Sequence, residues 1–110
     1  MRYLLTVRYD GTRYHGWQVQ QNALAVQPVV QDALERILQI RPGVSGCSRT
    51  DSGVHANMYC CHFDLDRAME PDKLTHALNF ALPKDIAAMK CRRVPDDFHA
   101  RYSCIGKDYI

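Results

Sequence analysis

The sequence predicts an α+β sandwich in which four strands and two helices follow the order β-α-β-β-α-β. Three observations carry that expectation. Residues 3–9 alternate with period two; residues 26–38 and 71–82 repeat apolar side chains at helical spacing; and three further runs, at 44–51, 57–65 and 86–94, are bounded by Gly, Pro and Asp turns. This order is the split βαβ arrangement of a ferredoxin-like fold, which places both helices on one face of an antiparallel sheet and leaves the other face free.

In chain order, Tyr3, Leu5, Val7 and Tyr9 line one face of the first strand, with Leu4, Thr6 and Arg8 on the other. Residues 10–25 carry Gly11, Gly16 and many polar groups and read as a long loop, a feature that in compact domains usually serves function. Val26, Val29, Val30, Ala33, Leu34, Ile37 and Leu38 then recur on one helical face, with Pro28 in the first turn. Pro42-Gly43 ends that helix. Val44 to Asp51 is the second strand, closing in the turn-like Asp51-Ser52-Gly53, and residues 57–65 form the third. The second helix starts with Pro71 in its first turn, buries Leu74, Ala77, Leu78, Ala81 and Leu82, and stops at Pro83. Ile86 to Val94 completes the sheet. Lys107 to Ile110 reads as a strand just starting, with no turn signal and no polar tail, so the chain is expected to be part of a longer protein.

One hundred and ten residues allow one domain with a real core, and 46% hydrophobic with 24% charged residues is an ordinary globular composition. That excludes disordered and fibrous classes. No apolar run approaches the roughly 18 residues that span a bilayer, and the N-terminal apolar stretch is too short for a signal peptide. The expectation is a soluble, cytoplasmic protein. Fourteen basic against twelve acidic side chains give a net charge of +2, too balanced to indicate nucleic acid by bulk charge. Ten of the basic residues are Arg, whose planar fork suits phosphate and base stacking, a weak lean towards a polyanion. The five cysteines, Cys47, Cys60, Cys61, Cys91 and Cys104, contain no C-x-x-C pair, and Cys60 and Cys61 on one strand face opposite ways. Reduced, buried thiols are expected, with no metal site.

The densest set of reactive side chains is Arg49-Thr50-Asp51-Ser52-Gly53-Val54-His55-Ala56. Asp51-Ser52-Gly53 alone is a common turn with a side-chain cap. Arg49 changes the reading, because residues two apart in an extended segment share a face and a guanidinium keeps a neighbouring carboxylate ionised. An ionised, positioned Asp is a nucleophile or base. His55 offers Asp51 a proton-relay partner, though no Ser or Cys has spacing that demands one. Trp17 and Tyr14 suit stacking on a base, and Trp17 equally suits sealing the core edge. His15, His62 and His76 read as structural or exposed, and His99, in a loop, suits either a phosphate contact or a backbone cap.

Ser48-Arg49-Thr50-Asp51-Ser52-Gly53-Val54-His55-Ala56 resembles the G-R-T-D-x-G-V-H-A signature of the tRNA pseudouridine synthase A family. Tyr9-Asp10-Gly11-Thr12 with Gly16-Trp17-Gln18-x-Gln20 resembles that family's opening block. Val94-Pro95-Asp96-Asp97-Phe98-His99-Ala100-Arg101 and Lys107-x-Tyr109 match two later blocks, in order and at compatible spacing. Four blocks in sequence cover most of the chain. The departure is Ser48, where the family usually has Gly, which bears on fine geometry and leaves the reactive groups in place.

The resemblance implies half of the pseudouridine synthase fold and an isomerase that needs no cofactor. The N1–C1′ bond of a uridine breaks, the uracil turns while bound, and C5 joins C1′. Asp51 is the implied catalytic aspartate, and three routes are open to its carboxylate: attack on the base, attack on the sugar, or removal of the C2′ proton. Arg49 is the implied partner of Asp51 that helps hold the target nucleotide out of the stack. Tyr109 would stack on the flipped uracil and assist proton loss at C5. Arg101, Lys107 and His99, with Arg13 and His15 in the long loop, are implied contacts to the RNA. The implied substrate is the anticodon stem-loop of tRNA at uridines just 3′ of the anticodon. Family members act as homodimers of chains about twice this length, so this chain is expected to be the N-terminal half, with weak or no turnover alone. The contrasting expectation is a non-catalytic ferredoxin-like RNA-binding module, although residues 57–63 lack the aromatic spacing of an RRM. A cysteine-dependent hydrolase finds no Cys–His arrangement to support it.

Overall fold

The computed structural model describes residues 1–18, 24–47 and 56–99. Its elements are β1 (Arg2–Tyr9), a one-turn 3-10 helix (Gly11–Arg13), α1 (Val26–Leu38), β2 (Val44–Gly46), β3 (Ala56–Asp64), α2 (Pro71–Ala81) and β4 (Ile86–Val94). The strands form one sheet in the order β2-β3-β1-β4, and every neighbouring pair is antiparallel. This is the expected ferredoxin-like α+β arrangement.

The period-two pattern of β1 decides which face is core. Tyr3, Leu5 and Val7 are fully buried, and their cross-strand partners include Phe63, Cys61, Tyr59 and Cys91. Val26, Val30, Ala33, Leu34 and Leu38 from α1 and Leu74 and Leu78 from α2 close over this face, and the two helices touch each other there. The opposite face carries Arg2, Leu4, Thr6 and Arg8 from β1, paired with Asp64, His62 and Cys60 of β3 and with Val94, Arg92, Lys90 and Ala87 of β4.

Two boundaries differ from the sequence reading. The first helix ends at Leu38, ahead of Pro42-Gly43, because Gln39 adopts a left-handed conformation (φ 65°) and returns its N–H to the Glu35 carbonyl. The second strand is only three residues long, and Cys47 is already a bend, although its N–H still reaches the Cys60 carbonyl at 2.9 Å. Residues 48–51 of the expected strand lie outside the described residues.

β4 also carries a feature that alternation does not foretell. Its register to β1 shifts between Lys90, opposite Thr6, and Ala88, opposite Val7, leaving Met89 as an extra residue. Asn79 of α2 satisfies the irregularity, since its amide donates to the Ala88 carbonyl (2.9 Å) and its oxygen accepts from the Ala88 N–H (2.8 Å).

Candidate functional site

One end of the sheet gathers the end of β1 and the starts of β3 and β4. Tyr9, last in β1, pairs with Ala56, first in β3, and with Ile86, first in β4. β2 runs towards the same end but stops at Gly46, level with Cys61 of β3. The described residues flanking the segment 48–55 are Cys47, whose N–H reaches Cys60 in the middle of β3, and Ala56, the first residue of β3. The loop after β1 and the turn before β4 meet at this end as well.

The loop after β1 is held by a clamp centred on Asp85. Arg13 Nε donates to Asp85 Oδ2 (3.0 Å), the Tyr14 hydroxyl donates to Asp85 Oδ1 (2.7 Å), and the Asp10 N–H donates to the Asp85 carbonyl (2.9 Å). Asp10 caps the 3-10 turn by accepting from the Thr12 N–H and hydroxyl. Burial, followed by the bond to Asp85, raises the Tyr14 phenol above its ordinary value, so Tyr14 remains a neutral donor.

The far part of that loop closes on the first turn of α1. Ala25 offers no capping side chain, and the carbonyls of Gly16 and Trp17 instead accept the N–H groups of Val26 (3.1 Å) and Gln27 (2.8 Å). Trp17 is buried and stacks on Tyr59 of β3 with ring centroids 4.5 Å apart. Gly46 lies beneath both rings: a Cβ there would fall on the Tyr59 hydroxyl and the Trp17 indole. The loop, β2 and β3 are thus keyed together one residue before Cys47. Of the two uses open to Trp17 the structure selects core closure, and the expectation that Tyr14 stacks on a base is corrected as well, because each side chain is about 2% exposed and buried in the core.

Of the expected site residues, Arg13 and His15 lie at this end of the sheet. Arg13 is exposed and paired with Asp85, with its guanidinium 5.9 Å from the centre of the Tyr14 ring. His15 is exposed, and its backbone N–H donates to the Leu24 carbonyl. His99 stands elsewhere, packed edge-on against His62 at 4.7 Å, beside the start of β1, where Arg2 reaches the Phe98 carbonyl. Burial, then the Arg2 guanidinium and His99, holds His62 below the ordinary histidine range. Arg49, Asp51, His55, Arg101, Lys107 and Tyr109 lie outside the described residues.

Sequence reasoning missed the cleft between these segments. A hollow of about 590 Å³ is lined by Arg8, Tyr9, Asp10, Ala56, Lys84, Asp85 and Ala87. Its lining comes from β1, the start of β3 and the turn before β4, which no local sequence pattern brings together. Cys60 and His62 face away from the helices while Cys61 faces them, as the register requires, and Cys47, Cys60, Cys61 and Cys91 are buried, with no disulfide among them. Among the described residues no helix is long and apolar enough to cross a membrane.

Residues 5–103 match the family described as tRNA pseudouridine synthase. The chain is 52% identical over 105 residues to tRNA pseudouridine synthase A of Ruminiclostridium cellulolyticum, which covers 96% of this chain and 43% of that protein. It is 47% identical over 105 residues to the protein of the same name from Clostridium acetobutylicum, with the same shares covered. Against that of Aquifex aeolicus it is 45% identical over 108 residues, covering 98% of this chain and 45% of the relative. The chain thus spans less than half the length of these relatives.

Proposed function

Because the chain belongs to the tRNA pseudouridine synthase family, we propose that it carries the catalytic aspartate, Asp51, of an enzyme that isomerises uridine to pseudouridine in the anticodon stem-loop of tRNA. The observation that carries this reading is positional. Arg49-Thr50-Asp51 falls in the connection between β2 and β3, which returns to the sheet beside an open cleft and beside a loop keyed in place by Trp17, Tyr59 and Asp85. Rigid elements on either side of the segment support this reading, because a reacting carboxylate has to be held in position.

In the proposed reaction the target uridine leaves the stack, with Arg49 holding the flipped nucleotide. The Asp51 carboxylate acts on the base, on the sugar, or on the C2′ proton. The N1–C1′ bond breaks, C5 bonds to C1′, the proton at C5 leaves, and N1 gains a proton. The isomerisation is redox-neutral and balances without a cofactor. Tyr109 stacks on the uracil, and Arg101, Lys107, His99, Arg13 and His15 contact the RNA. The whole protein, at the length of the relatives, is read as a homodimer whose second half completes the cleft, acting in the cytoplasm, where buried free thiols such as Cys61 and Cys91 stay reduced.

The test uses tRNA tritiated at C5 of uridine and the protein at the relatives' full length. Tritium release to water by the parent is expected, and its absence would overturn the assignment of activity.

A further inference from the structure

Arg8, Lys84, Lys90 and Arg92 are exposed, and among the described residues none of them has an ion pair or a side-chain hydrogen bond. Three other cations are committed to carboxylates. Arg2 is paired with Asp64, Arg13 with Asp85, and Arg41 with Asp32 and Glu35. The sheet register puts three of the four on the face away from the helices: Arg8 lies across from Ala87, Lys90 across from Thr6, and Arg92 across from Leu4. Lys84 continues the row in the turn before β4, and with Arg8 it lines the cleft that also touches Ala56.

The carboxylates of that cleft do not neutralise these cations. Asp85 is held by Arg13 and Tyr14, and Asp10 is turned onto Thr12. The result is a row of four positive charges running from the cleft beside Ala56, the residue that follows the segment 48–55, along edge strand β4. A polyanion that places one nucleotide at that segment must lay its neighbouring phosphates on adjoining surface, and this row is the cationic surface that adjoins it.

We infer that Arg8 and Lys84 grip the RNA backbone beside the reacting nucleotide, and that Lys90 and Arg92 extend the grip along β4. The inference rests on the tRNA reading above and adds to it a set of contacts outside the family's sequence blocks. The contacts are to phosphate, so they position the RNA without reading its bases.

The experiment measures tRNA binding across a salt series, together with steady-state tritium release, in the full-length protein. The variants are the double substitutions Arg8→Gln with Lys84→Gln and Lys90→Gln with Arg92→Gln. Arg36→Gln, at an exposed site on α1 on the other side of the sheet, is the control. Each double variant is expected to bind tRNA about tenfold more weakly and to lower the salt slope by about 1.4–1.8, corresponding to two lost phosphate contacts. KM should rise while kcat stays at the parent value, and Arg8→Lys with Lys84→Arg should restore binding. Parental affinity, slope and KM in both double variants would overturn the inference even with an active parent. An inactive parent that still shows the predicted loss of binding would instead overturn the catalytic reading and leave the RNA grip standing.

Discussion

A methyl group on Gly46 would collide with the Tyr59 hydroxyl and the Trp17 indole, two groups already stacked on each other. Neither ring is at the end of a flexible chain, so Gly46→Ala is expected to cost about 1–3 kcal/mol through overpacking, read as a lower urea midpoint at unchanged m. An unchanged midpoint would show that the rings give way freely. His62 supplies a second residue-level expectation. Its folded-state titration is depressed by burial, then by Arg2 and His99. The neutral form is therefore favoured by folding, and its contribution is complete above the ordinary histidine value. It is lost as pH falls through the folded value. His62→Gln should flatten the decline in stability between about pH 7 and 5 relative to the parent, and parallel profiles would contradict this. Sequence reading could place His62 on a strand face. It could not show that His99 and Phe98 fold back over that face, since this contact joins residues far apart in the chain.

At the scale of elements, the helices and strands were legible because their apolar spacing is strong: Val26 to Leu38 repeats at helical period, and β1 alternates cleanly. What holds them together was not legible. The first turn of α1 is capped by carbonyls of Gly16 and Trp17, which no local signature announces. The extra residue in β4 is stabilised by Asn79 from α2, a tertiary bond, and the segment IAAMKCRRV does not itself reveal a bulge. Removing that bolt with Asn79→Ala should lower stability by about 1 kcal/mol. Asp85→Ala should cost more, about 1–3 kcal/mol, because the buried Tyr14 hydroxyl loses its acceptor. The same variant frees the loop carrying Arg13 and His15, so hydrogen exchange at residues 10–18 is expected to rise while β1 stays protected. Uniform exchange in parent and variant would argue that Asp85 does not hold the loop.

For the molecule as a whole, the fold and the site were legible to different degrees. Four sequence blocks mark the family, while Asp51 and its neighbours lie outside the described residues; the elements follow from period, and their order in the chain gives the sheet arrangement. The cleft was hidden because Arg8 and Lys84 lie far apart in the sequence, and the pairing of β1 with β4 makes them neighbours. Charge balance concealed it further: a net +2 says nothing of a row of cations whose nearby carboxylates are already engaged. The central claim is that this half of the family's chain holds the reacting carboxylate. It is tested most directly by pairing tritium release with tRNA binding in Asp51→Asn of the full-length protein. The variant should bind tRNA within about twofold of the parent and release tritium at least a thousandfold more slowly, a loss of about 4 kcal/mol in transition-state stabilisation. Release at the parental rate by Asp51→Asn would contradict the account.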